Sequence, residues 1–254
     1  MNLLNYIRTH FLTDSLKDFI KKPETIAITR FKKIYRDLIF RTQLMGPNNF
    51  YKEVEMKYTQ DLTQKALDRI LVKADPNHAR RVQENSIKFA KVLKLDPADI
   101  QLISIAARYH DLGKALIKPG VLNKPDKLSA EERTLIETHP IRSAEILEPF
   151  NLDRKDELLD IIRHHHENFN GSGYPDQLKE DEIPYLSRVI FIVDTFDALI
   201  SPRPYRLNPF TVECALGMMI DLSGINFDPE LLESFTDNIE EILLDNELQS
   251  KKIG

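Results

Sequence analysis

The sequence has no tryptophan and a single cysteine, Cys214, in 254 residues. One cysteine can neither close an internal disulfide nor build a thiolate metal site, so disulfide scaffolds and cysteine-zinc folds are excluded and a reducing compartment is expected. Glycine is scarce, at eight residues against fourteen prolines, which favours well-marked helix starts over loose linkers. Long apolar runs are missing too. A membrane span needs about 18 apolar residues or more, and the best stretch, Leu186 to Ile200, is interrupted by Arg188, Asp194 and Asp197. The N-terminal MNLLNYIRTHFLTDSLKDF has neither the apolar core nor the small-residue cleavage site of a secretion signal. These absences lead to the expectation of a cytoplasmic protein with no membrane span.

What is present suits a chain with a sizeable core. Hydrophobic residues make up 42% and charged residues 30%, and the length fits one large domain or one domain with an appendage. The net charge of -5 is unevenly spread. Residues 1–60 carry eleven basic and six acidic residues, whereas the remainder carries 24 basic and 34 acidic. An acidic body lacks the basic face that a nucleic-acid polymer requires. A basic arm on that body points to docking against the body itself, a second subunit of a homodimer, or an acidic partner.

Helix punctuation dominates the chain. Asp96, Pro97 and Asp99 form a capped helix start before Leu102, Ile105, Ala106 and Tyr109. Ser129 and Glu132 have capping-box spacing, and Pro140 should end or kink the following helix near His139. A further helix from about Lys155 is expected to run into the triple histidine, with Gly171 and Gly173 as its breakers. Pro184 opens a helix through Val189, Ile190, Ile192, Val193 and Phe196, and Asn208-Pro209 and Asp228-Pro229 read as two more starts. The fold class is therefore all-α. Residues 1–61 form a short helical N-terminal segment broken at MGPNN, and residues 62–254 form the main domain.

Six of the seven histidines lie between residues 78 and 166. His78, the pair His110-Asp111, His139, the pair His165-His166 and Asp194 follow one another at intervals of 32, 28, 26 and 28 residues. Each interval is about one helix plus a connection, so successive helices of a bundle can converge these donors at one depth. Neutral imidazole and carboxylate together bind Fe, Mn or Zn, and a carboxylate can bridge two ions. Neighbouring residues on a helix point about 100° apart, so the doublets fit two ions better than one. Paired ions supply a nucleophile from water at neutral pH and neutralise charge during in-line displacement at phosphorus. A lone histidine in such a position is more often structural; the joint pattern is not explained that way.

YHDLGK at 109–114 and HHENFNGSGYP at 165–175 resemble the signatures of the HD-GYP domain, a branch of the HD phosphohydrolase superfamily. HARRV at 78–82, HP at 139–140, IVDTFDALISPRPYR at 192–206 and FDPELLESF at 227–235 are similar too, in family order. The resemblance covers about residues 65 to 240 and implies an HD-type helical bundle with a metal centre in its core. It implies hydrolysis of cyclic di-GMP, a bacterial second messenger, using two or three transition-metal ions.

By the resemblance the metal ligands are His78, His110, Asp111, His139, His165, His166 and Asp194, and His164 is an outer or surface residue. Asp111 and Lys114 are the catalytic candidates, and Lys114, Tyr174, Arg203 and Arg206 the substrate-binding ones. Asn170 stands where the family usually has aspartate, and Ala74 where three-metal members tend to have glutamate. Two divalent ions, Fe or Mn before Zn, and the linear product pGpG are therefore expected. Diguanylate cyclase domains and other signalling proteins are the partner class implied. Alternatives are an HD phosphohydrolase for another cyclic dinucleotide or nucleotide, and a signalling module without turnover.

Overall fold

The computed structural model describes residues 64–250 apart from 66, 72, 73, 151, 204, 205 and 207, and side chains only as far as 244. The helical segment expected over 1–61, its break at MGPNN and the boundary at 61/62 lie outside the described residues.

From residue 76 onward the described helices are α1 (Pro76–Val92), α2 (Pro97–Tyr109), α3 (Pro119–Leu122), α4 (Ala130–Glu137), α5 (His139–Leu147), α6 (Lys155–Arg163), α7 (Tyr185–Ile200), α8 (Val212–Ile220), α9 (Pro229–Asp237) and α10 (Ile239–Ser250). A 3-10 turn, Leu112–Leu116, links α2 to α3. Among the described residues no strand is longer than an isolated bridge, and no helix is long and apolar enough to cross a membrane. The all-α reading holds.

The expected caps are in place. Asp96 accepts from the backbone of Ala98 and Asp99, Ser129 and Glu132 close a reciprocal capping box, and Asp228 caps α9. Pro140 separates α4 from α5 by occupying the first turn of α5, where its missing N–H is harmless. One start falls elsewhere than expected: α8 begins at Val212, capped by Thr211, and not at Asn208-Pro209. The Thr211 hydroxyl supplies the acceptor that Cys214 N–H needs.

The triple histidine departs from expectation as well. Helix α6 ends at Arg163, and His164, His165 and His166 occupy the turn that follows. The cause is competition for carbonyls. His164 Nδ1 lies 2.9 Å from Asp160 O and His165 Nδ1 lies 2.6 Å from Ile162 O. Asp160 O still accepts from His164 N–H at 3.2 Å, whereas the His165 imidazole takes the Ile162 carbonyl that the next helical turn would have used.

The core runs through the middle of the bundle. α1 packs on α2 and α7, α6 packs on α2 and α5, and α10 returns to α1. Phe235 of α9 makes edge-to-face contacts with Phe89 of α1 at 5.1 Å and Phe196 of α7 at 5.3 Å. Val189, Ile190, Ile192 and Val193 are fully buried. Burying a side chain of this size is worth about 1.5–3 kcal/mol, so α7 is a strongly anchored axis. Asp194 sits midway along it.

Candidate metal centre

Most of the polar donors come from helix ends. His78 is in the first turn of α1, which Asp75 caps by accepting from His78 N–H at 3.0 Å. His110 closes α2, Asp111 follows it, and His139 opens α5. His165 and His166 come from the turn after α6. Asp194 alone projects from a helix middle. Helix ends leave carbonyls without helical partners, and the histidines use them. His110 Nδ1 donates to Ala107 O at 2.8 Å, His139 Nδ1 to Ile136 O at 2.8 Å, and His165 Nδ1 to Ile162 O at 2.6 Å.

Those bonds place a proton on each Nδ1, so Nε2 offers a lone pair whenever the ring is neutral. The lone pairs then meet. His139 Nε2 and His165 Nε2 are 3.3 Å apart, a pairing with no proton between them that only a cation makes favourable. His139 Nε2 is also 3.1 Å from Asp111 Oδ1. His110 Nε2 has no hydrogen-bond partner although it is buried, and it faces Asp111 Oδ2 at 3.4 Å and Asp194 Oδ1 at 3.7 Å. His78 Nε2 lies 2.9 Å from Asp194 Oδ1 and 3.7 Å from Asp111 Oδ2. Buried polar atoms are rarely left unmatched. The donor set therefore fits metal ions. It divides into two groups, Asp111 with His139, His165 and His166, and His78 with His110 and Asp111, and in each the ligand atoms lie within 4.8 Å of one another, close enough to share an ion. Asp111 belongs to both and turns one oxygen to each.

Protonation follows the same division. Burial depresses the His110 imidazole, but Asp111 and Asp194 outweigh it and push the group up to about 10. His78 is raised in the same way, with burial overcome by hydrogen bonds to Asp194 and Asp197. Burial holds His166 down at about 3, helped by His139, and lowers His165 and His139 too. Asp111 and Asp194 stay well below the carboxylate range because cationic and hydrogen-bonding neighbours outweigh burial.

The mouth of the site carries the remaining candidates. Lys114, on the 3-10 turn, donates to Asp111 Oδ2 at 2.7 Å. The Tyr174 ring lies 5.0 Å from His166, tilted by 33°, and burial raises its phenol. Arg203 approaches His78 Nδ1 at 3.3 Å and Asp75 at 3.7 Å. Arg206 is turned elsewhere. It donates to the carbonyls of Ala198, Leu199 and Ser201 at the end of α7 and lies over Phe210. The GSGYP loop is held by its glycines and by Asn170. A Cβ on Gly173 would meet Asn168 N at 2.2 Å, so only glycine lets the loop fold onto His166–Asn168. Asn170 Oδ1 accepts from Ser172 N and Oγ at 3.0 and 2.7 Å, bonds an aspartate would also make.

Two contributors, Asp197 and Glu167, have no role in the sequence reading. Asp197 accepts from His78 and Arg81. Its signal was a second acid, three residues after Asp194 in an apolar helix. Buried Glu167 accepts from Asp176 N at 2.7 Å. His164, expected as an outer or surface residue, is outer but buried, and contacts Asp176 at 2.9 Å outside the central cluster.

The family described as HD domain matches residues 65–231. The chain belongs to the HD-domain family. The HD-GYP resemblance of this HD-domain chain stands with it. The chain is 31% identical over 239 residues to a cyclic di-GMP phosphodiesterase of Thermotoga maritima, covering 86% of this chain and 64% of that one. It is 32% identical over 166 residues to 3'3'-cGAMP-specific phosphodiesterase 2 of Vibrio cholerae, covering 65% of this chain and 32% of that one. The HD-domain chain thus spans less than two thirds of the length of these relatives. An HDG"Y"P protein from Bdellovibrio bacteriovorus has the same fold, with a TM-score of 0.55, 20% identity, and coverage of 89% of this chain and 68% of that one.

Proposed function

We propose that this HD-domain chain is a metal-dependent phosphodiesterase that opens cyclic di-GMP to pGpG. The observation that carries the reading is the pair of bare imidazole nitrogens 3.3 Å apart, His139 Nε2 and His165 Nε2, beside a carboxylate shared by two donor groups. His78, His110, Asp111, His139, His165, His166 and Asp194 hold two divalent ions, Fe or Mn. Ala74 offers no donor for a third, and Asp75 is already engaged with the α1 N-terminus and near Arg203. When bound, the ions supply a water-derived nucleophile and Lewis acidity toward a phosphate.

The chain's own residues do the rest. Lys114 Nζ, held at the mouth by Asp111, donates to a non-bridging phosphate oxygen and stabilises the charge that grows there. Arg203 grips the second phosphate, since its guanidinium lies on the same side of the cluster as His78. Tyr174 walls the pocket beside His166. Arg206, the other candidate for substrate contact, has its guanidinium occupied by the end of α7, so its part is to hold the Arg203 loop.

Two relatives' names favour two substrates, and the second reading is hydrolysis of another cyclic dinucleotide such as 3'3'-cGAMP. Chromatography of products from cyclic di-GMP and 3'3'-cGAMP, with anaerobic protein supplied with Fe(II) or Mn(II), tests both. Linear pGpG that persists without GMP is the expected result. Faster cleavage of 3'3'-cGAMP would move the reading to that substrate, and no product from either would leave a binding module.

A further inference from the structure

His78 differs from the other buried ligand histidines in how its ring is held. His110, His139 and His165 each donate Nδ1–H to the carbonyl three residues earlier, which is free because a helix has just ended. His78 sits at a helix start, where the unpaired backbone groups are N–H donors and no carbonyl faces the ring. Its Nδ1 donates instead to Asp197 Oδ2 at 2.6 Å. Arg81 holds that carboxylate with two bonds, Nε to Oδ1 at 2.6 Å and Nη2 to Oδ2 at 2.9 Å. Arg81 follows His78 by three residues on α1, and Asp197 follows Asp194 by three on α7. The contact between the two helices is thus repeated one turn away from the cluster. With the Nδ1 proton directed at Asp197, Arg203 near the same nitrogen makes a contact and not a hydrogen bond.

We infer that Asp197 and Arg81 are positioning residues that set the affinity of one metal position, the one beside His78 and His110, and leave the other unaffected. The inference rests on the two-ion reading above. An outer carboxylate fixes the imidazole tautomer and ring plane and makes Nε2 a stronger donor than a carbonyl does. On the other side His139 and His165 are oriented by backbone carbonyls. The His78–Asp197 contact is buried, with each residue 1% exposed, so solvent does not replace it.

The test loads the 254-residue chain with Mn(II) and follows metal content and Mn(II) spin resonance during chelator titration. Wild type should hold two equivalents with the spectrum of a coupled pair. Asp197→Asn should release one equivalent at about 10- to 100-fold lower chelator, leaving an isolated-ion spectrum from the second. Arg81→Gln, at a partly exposed position, should shift the same equivalent by a smaller factor. Two ions retained with wild-type affinity in both variants would overturn the inference, as would parallel loss of both ions. If Asp197→Asn does not fold, Arg81→Gln decides by the same criteria. Wild type holding fewer than two ions would overturn the two-ion reading itself, an outcome distinct from unchanged variants.

Discussion

The two ends of the buried cluster are made of different materials. Around His78 and His110 the partners are the carboxylates Asp111, Asp194 and Asp197, and both imidazoles are raised. Around His139, His165 and His166 the neighbours are mostly other imidazoles, with Lys114 adding positive charge, and all three are lowered. The carboxylate-rich end can accept protons in place of an ion. The imidazole-rich end cannot, because burial and the neighbouring cations outweigh the one carboxylate, Asp111, that faces it. A cation that binds lone pairs satisfies both ends; protons satisfy only one.

Removing the residue common to both ends should have the largest effect. Asp111→Ala should abolish binding of both ions and lower turnover roughly a thousand-fold, for a loss of about 4 kcal/mol of charge stabilisation. Elemental analysis beside a turnover assay checks it, and retention of one ion would show that the ends are independent. Lys114→Ala should lower turnover about a hundred-fold while both ions stay bound. Metal loss in that variant would make Lys114 a support for Asp111 and not a phosphate ligand.

A pH series on metal-free protein separates the ends without mutation. The raised His110 contributes stability that is present below its unfolded value of about 6.5 and is lost as pH rises through about 10. The lowered His139, His165 and His166 act in the opposite direction. They stay neutral when folded, so stability falls as pH drops below about 6.5 and the unfolded chain takes up protons. Metal-free protein should therefore be most stable near neutrality, with each group contributing a slope of at most about 1.4 kcal/mol per pH unit. Thermal melts from pH 5 to 10 measure it, and bound Mn(II) should flatten the alkaline side.

Glycine substitutions probe one end with a control. Gly173→Ala drives a Cβ into the backbone beside His166 and should destabilise by about 1–3 kcal/mol, with weaker binding of the ion at the imidazole-rich end. Gly217→Ala meets nothing within 4 Å on α8 and should stabilise by up to about 1 kcal/mol. Denaturant melts of both give the contrast. The smallest effect on substrate is expected for Arg206→Ala. It should cost about 1 kcal/mol of stability through its carbonyl bonds and leave KM nearly unchanged, whereas Arg203→Ala should raise KM.

Much of this architecture is legible in the residues. Asp96-Pro97, Ser129 with Glu132, and Asp228-Pro229 cap helices because their side chains reach only the nearest free N–H groups, a purely local matter. The triple histidine misleads for a related reason. Helical spacing in α6 continues into it, but the His165 imidazole takes the Ile162 carbonyl and the helix ends at Arg163. At Arg206 the motif position suits substrate, and the structure adds carbonyls within its reach at the end of α7.

Residue types and spacing by themselves determined that the chain is helical, that its donors are imidazole and carboxylate, and that they recur about once per helix. Those properties depend on side-chain chemistry and on intervals along one chain. Only the tertiary structure decided which nitrogen of each ring faces the centre, because that depends on which acceptor lies behind the ring. For three histidines the acceptor is a carbonyl three residues back. For His78 it is Asp197, 119 residues away, brought there by the packing of α7 on α1.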